Sequence, residues 1–197
     1  LNVQVSPDGS KIAVSTSNFE VRVYASESIS LLSQMNGHSA TVTDVKFSDS
    51  DANLLATSSD DGSVGVWDVK TGAKTAGFAV QGENFKSVAI AGQILAAGTA
   101  SGQIYFWDLQ SGAQQVLQDY FSQDVTQLVF HPVNRAHLCA GSYDGLVCLI
   151  DTSKPLDDDA ILDVLNIGTS VAKMGLFGPE NNLLYTLAPT EQLQVYN

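Results

Sequence analysis

Basic residues are scarce in this chain of 197: nine Lys and Arg stand against 21 Asp and Glu, a formal net charge of −12. A surface built to hold phosphates clusters Lys and Arg, so direct nucleic-acid binding is not expected. Long apolar runs are missing too. The best candidates, such as Leu146–Ile150, fall far short of the roughly 18 residues of a membrane-spanning helix, and no membrane association is expected. Cysteine occurs twice and no Asn-x-Ser/Thr acceptor is present. That argues against a disulfide-stapled secreted module and for an intracellular protein, in the cytoplasm, the nucleus or both. The chain opens at Leu1 without a basic, apolar-cored leader pattern. Catalytic signatures are absent as well: there is no G-x-S-x-G, H-E-x-x-H, P-loop or G-x-G-x-x-G. Neither enzymatic activity nor a cofactor is expected. No segment sustains a helical period over three turns.

What is present is repetition. Short β-branched runs end in an aromatic or apolar residue followed by a small or acidic one: Val23-Tyr24, Val66-Trp67-Asp68, Phe106-Trp107-Asp108, Leu149-Ile150-Asp151 and Val195-Tyr196-Asn197. They recur about 40–46 residues apart, the period of a repeat architecture. A second series keeps the same phase, in Val5-Ser6-Pro7, Phe47-Ser48-Asp49, Phe130-His131-Pro132 and Phe177-Gly178-Pro179. A third marks a tight turn, at Asp61-Gly62, Ser101-Gly102 and Asp144-Gly145. Within one period Thr41–Phe47 alternates through Val42 (or Thr43), Val45 and Phe47. Asn53–Ser58, Ser63–Trp67 and a weaker run at Thr75–Phe78 follow, with Asp-Gly supplying the left-handed hairpin position. The pattern predicts an all-β chain of four complete four-stranded units and a fifth of three strands. The units cover about 1–36, 37–80, 81–118, 119–168 and 169–197 of one domain, 1–197. Such sheets are apolar on both faces, so they must stack face to face.

Four-stranded units of this length match the WD-type β-propeller, and the residues resemble that family directly. Gly37-His38, Asp61 and Trp67-Asp68 lie in one unit, with Thr57 and Ser59 between them. The resemblance implies a buried network in which His38 bridges Asp61 and a strand hydroxyl, Thr57 or Ser59, whose other partner is Trp67. The other units depart from this. The third keeps Trp107-Asp108 but has Ser101 at the turn, and the fourth has Tyr120-Phe121 near the Gly-His position and Ile150 for Trp. The first and fifth carry Tyr24 and Tyr196. Asp124–Pro132, followed by Gly141–Val147 and Asp151, narrows the resemblance to one subgroup, as do Leu156–Ala160 and the run to Gly168–Val171. Seven blades would need about 300 residues, so the chain is expected to be part of a longer, seven-bladed propeller.

Candidate chemistry is sparse. His131, His137, Cys139 and Cys148 are zinc-type donors, but zinc wants four of them converging. They are read instead as a turn residue and small apolar fillers, and no metal is expected. A two-residue turn at Tyr143-Asp144 would set Cys139 opposite Cys148, whereas a three-residue Asp-Gly turn with a bulge slips them out of register. The second is the usual use of this turn, so free thiols are expected. Asp157-Asp158-Asp159 lacks the spacing of a calcium loop and is read as a solvated loop between blades.

Surface loops remain. Propellers hold partners on the loops at one rim of their channel. Carried over position by position, the resemblance implies a protein-binding rim of Asp60, Ala100 and Tyr143, with Ser39, Thr41, Tyr120 and Phe121 from the neighbouring loop. Phe121 has an alternative role, plugging the gap left by the missing histidine. The expected function is a non-catalytic scaffold for a protein or peptide partner, and the net charge favours a basic one by steering. The alternative is a substrate receptor of a cullin-RING ubiquitin ligase. Family members of that kind often carry Trp-Asp-x-Arg, and here Lys70 and Gln110 stand at the arginine position.

Overall fold

The computed structural model describes residues 2–190 and 192–196. Leu1 and Asn197, which the repeat pattern places in a first strand and a final motif, lie outside them. Five antiparallel sheets follow one another along the chain. The first holds β1 (Val3–Val5), β2 (Lys11–Ser15), β3 (Val21–Ala25) and β4 (Leu31–Met35). The second holds β5 (Val42–Phe47), β6 (Leu54–Ser59), β7 (Ser63–Asp68) and β8 (Lys74–Ala79). The third comprises β9 (Phe85–Ala91), β10 (Ile94–Thr99), β11 (Ile104–Asp108) and β12 (Gln114–Leu117). The fourth comprises β13 (Val125–Phe130), β14 (His137–Ser142), β15 (Leu146–Asp151) and β16 (Ile161–Asn166). The fifth has β17 (Lys173–Phe177), β18 (Leu183–Leu187) and β19 (Leu193–Tyr196). The helical content among the described residues is one 3-10 turn, Asp158–Ala160.

Each sheet is a meander because each connection is a hairpin, and the tight ones rest on glycine. Gly62 sits at φ 77°, and a Cβ there would stand 2.8 Å from the Glu83 carbonyl oxygen of the next blade. Only a residue without a side chain fits.

The first strands of the sheets lie side by side on the inner face. Val5, Phe47, Ile90, Phe130 and Leu176, one from each first strand, line a single axial cavity of about 300 Å³. Hydroxyls tie successive first strands together from the second blade to the fifth. Thr43 donates to the Phe85 carbonyl at 2.7 Å, Ser87 to that of Val125 at 2.7 Å and Thr126 to that of Val171 at 2.6 Å. Asp44, 1% exposed, accepts from the amides of Val45 and Val88 and from the Asn2 side chain. A buried carboxylate is tolerable only when its oxygens are satisfied in this way.

Apolar cores fill the seams between sheets, as radial packing requires. Trp67 of the second sheet packs with Ala13, Val21, Val23 and Met35 of the first. Trp107 packs with Val64 and Val66 of the second, and Ile150 with Ala96, Ile104 and Phe106 of the third. The described residues form five successive blades of a β-propeller.

One expectation is corrected. Asp157–Asp159 do not join two blades: they lie in the connection from β15 to β16, inside the fourth. Leu156 anchors this long loop in the apolar seam between the third and fourth blades, near Ile94 and Phe106.

Candidate functional site

Within the second blade the paired strands β6 and β7 set Thr57 opposite Gly65. The indole of Trp67 folds over Gly65, where a Cβ would meet its Nε1 at 2.6 Å. That lets the indole N–H donate to Thr57 Oγ1 at 2.8 Å, while His38 Nε2 lies 2.7 Å from the same oxygen. His38 Nδ1 faces Asp61 Oδ2 at 3.2 Å and Ser63 Oγ at 3.0 Å. With Nδ1–H donating to the carboxylate, Nε2 accepts from the threonine hydroxyl, and every polar hydrogen in the chain is used.

The His38–Asp61 contact is a hydrogen bond rather than an ion pair. Burial lowers the imidazole's pKa, outweighing the pull of Asp61 in the other direction, and its side chain is 2% exposed. For Asp61, burial works upward, yet the Ser63 hydroxyl, the Ser39 amide and His38 together hold the carboxyl down at about 2. Ser59 is outside this network; its hydroxyl donates to the Ala40 carbonyl and accepts from the Asp61 amide. Ser63, which sequence reasoning missed, belongs to it.

The network braces the second blade at the end of the propeller where the turns between second and third strands meet the loops between blades. A single backbone bond recurs there. The amide of Asp60 donates to the Thr41 carbonyl at 3.0 Å, that of Ala100 to Asn84 at 2.9 Å and that of Tyr143 to Asp124 at 2.9 Å. The rim is therefore a series of pairs, each joining the residue before the turn to the one opening the inner strand. Asn84 and Asp124 were missed by sequence reasoning, although shifting Thr41 by one period reaches the first and by two periods the second.

The seven rim residues fare differently. Ser39 is bound through its amide to Asp61 at 2.8 Å, and its side chain is free in solvent. Thr41 is exposed, Ala100 is half-buried, and Asp60 is paired with Lys86 at 2.6 Å. Tyr143 projects, 50% exposed. Tyr120 is committed elsewhere: its hydroxyl donates to Asp158, which raises its pKa to about 12, and its ring packs on the seam between the third and fourth blades. Phe121 is 7% exposed inside that same seam. The two aromatics thus fill the flank rather than the rim.

The zinc-type donors do not converge; among the described residues no group of three or more His, Cys, Asp or Glu could hold a metal ion. Ala140 faces Cys148 and Cys139 faces Leu149, so the cysteines are out of register and unpaired. Burial pushes their thiols up to about 11 and about 12 respectively.

Comparison with known proteins agrees with this geometry. The family model "WD domain, G-beta repeat" matches residues 29–68 and 113–151. The WD repeat-containing protein 89 homolog of Dictyostelium discoideum is 33% identical over 200 residues, covering 100% of this chain and 54% of the relative. The WD repeat-containing protein GTS1 of Arabidopsis thaliana is 31% identical over 199 residues, covering 96% and 50%. The chain therefore spans about half the length of these relatives. A chain in the crystal structure of the mitotic checkpoint complex superposes with a TM-score of 0.83 at 20% identity, covering 99% of this chain and 60% of that one.

Proposed function

The chain belongs to the WD40 repeat family, and on that premise we propose that it is a non-catalytic scaffold holding a basic segment of a protein partner on the rim braced by His38 and Asp61. It acts inside the cell, where its two unpaired thiols suit a reducing compartment.

The observation that carries this reading is the pairing of Tyr143 with Asp124. The backbone bond between them brings an exposed tyrosine and a half-buried aspartate to neighbouring positions on the rim. An ammonium or guanidinium can lie on such a ring and bond such a carboxylate together. The surroundings reinforce the choice. Loops at this end carry Glu20, Asp60, Asp61, Glu83, Asp119, Asp124 and Asp144, and among the described residues they carry no Lys or Arg. Several of these are already engaged: Asp60 by Lys86, Asp61 by the network, Asp144 by Ser122. Among the described residues nothing engages the Asp124 carboxylate, which is available to a partner, and the field of the rest steers a cation toward it.

Affinity capture from lysate tests the reading. Wild-type protein is compared with Asp124→Lys, Tyr143→Ala and a variant at the opposite end, Val133→Ala. Partners retained by wild type and Val133→Ala but lost from both rim variants are expected, and raised salt should release them. Capture unchanged by both rim variants contradicts it.

A further inference from the structure

A cavity of about 260 Å³ opens between the fourth and fifth blades, and its cause is visible in the repeat. The third strands of the second, third and fourth blades each send one large side chain into the preceding seam. Trp67 and Trp107 are 2% and 1% exposed there and Ile150 is fully buried. In the fifth blade the position holds Tyr196, half-buried, with its hydroxyl turned to Gln194 on its own strand. Among the described residues the seam is left incompletely filled, and Val147, Leu149, Leu165, Leu176 and Leu184 line the gap.

Polar groups stand among the lining residues. The Nδ1 of His131 accepts from the amides of Val133 at 3.2 Å and Asn134 at 2.9 Å, which puts its proton on Nε2. The Nε2 of His137 accepts from the Asn134 side-chain amide at 3.0 Å, which puts its proton on Nδ1. Both N–H groups are without an acceptor among the described residues. Asp163 adds an exposed carboxylate.

These features fix the kind of occupant. At about 260 Å³ the space is below the roughly 300–1,000 Å³ of sites that enclose a drug-sized molecule or cofactor, and it suits one large side chain. Aliphatic walls demand an apolar one. Two fixed N–H donors suit the carbonyls of an extended backbone. Asp163, in a chain of net charge −12, selects a cation beside it. We propose that this seam is a second docking site, taking one leucine or phenylalanine side chain of a partner peptide that carries Lys or Arg next to it. The site is separate from the rim and does not depend on it.

The test is an amide chemical-shift titration of the labelled protein with two probes, acetyl-Lys-Phe-amide and acetyl-Glu-Phe-amide. Saturable shifts are expected at Cys139, Val147, Leu165 and Leu176, with the lysine peptide about three- to five-fold tighter, as one exposed charge contact supplies. Asp163→Lys should reverse that order without weakening the apolar contact. Leu184→Phe, which occupies the cavity, should abolish both. Absence of saturable shifts, equal affinity of the two peptides, or shifts confined to the rim loops overturns the proposal. A rim variant such as Asp124→Lys leaves the shifts unchanged, so failure here and failure of the rim reading are told apart.

Discussion

Replacing Thr57 by valine removes one oxygen and little volume, and the geometry around that oxygen sets the cost. Thr57 Oγ1 receives the Trp67 indole N–H at 2.8 Å and meets His38 Nε2 at 2.7 Å. Thr57 is fully buried and Trp67 is 2% exposed, so water cannot take the place of the hydroxyl. The substitution therefore orphans a donor and an acceptor at once. Each buried orphan costs about 1–3 kcal/mol, and the pair should cost about 3 kcal/mol. For a chain of this size that is a fall of roughly 6–12 °C in the melting temperature. Thr75→Val is the control, because Thr75 lies on the exposed outer strand β8 and donates to the Val66 carbonyl at 3.1 Å. It should stay within about 0.5 kcal/mol of wild type. Urea denaturation of the three proteins side by side gives the comparison. A Thr57→Val variant as stable as Thr75→Val would refute the idea that the network braces the second blade.

The same network predicts a pH dependence. His38 has a folded pKa below its ordinary 6.5, so the stability it contributes is present above 6.5 and is lost as pH falls below it. Asp61 contributes stability above about 3.8 that is lost as pH falls toward about 2. His38→Gln should flatten the first limb of a stability–pH curve and Asp61→Asn the second; unaltered curves would contradict these assignments. Phe121→Ala should cost about 3–5 kcal/mol in denaturation, as for a core aromatic, whereas a rim residue would cost little. Tyr120→Phe loses only its bond to Asp158, so denaturation should register about 1 kcal/mol or less and partner capture should be intact. Gly102→Ala combines φ 84° with a Cβ 2.3 Å from the Phe121 carbonyl oxygen, and a loss of more than about 2 kcal/mol is expected in the same assay.

Much of the fold is legible because its marks are local. Glycine at hairpin turns, tryptophan ending a third strand and histidine before an inner one each do a job set by residue type, so the period survives in the sequence even where single marks are lost. Registers are less legible. Inner strands β5 and β13 shift register between Val42 and Asp44 and between Val125 and Gln127. Simple alternation therefore does not say whether Val42 or Thr43 points inward, and such a bulge leaves no mark in residue type. The choice of Thr57 over Ser59 depends on the same kind of detail, the pairing of Thr57 with Gly65 beneath the Trp67 ring. The repeat points to a rim position for Tyr120 because its place in the blade resembles that of a loop residue. Its partner, Asp158, is 38 residues away in a loop with no counterpart in the other blades, and no periodic argument could reach it.

The rim itself was half visible. Positions before the turns followed from the repeat, but their partners Asn84 and Asp124 emerge only from the recurring backbone bond. Charge at this end was hidden for a different reason. The chain's acidity is global in composition, and only the fold shows that the loops at one end carry carboxylates without a single Lys or Arg among the described residues.

The most direct measurement is amide hydrogen exchange of the protein with and without a captured partner. Slowed exchange is predicted in the loops around residues 60–62, 100–103, 118–124 and 143–145, with the greatest change at Asp124 and Tyr143. Protection that falls instead on the opposite turns, around 48–53 and 131–136, would contradict the account.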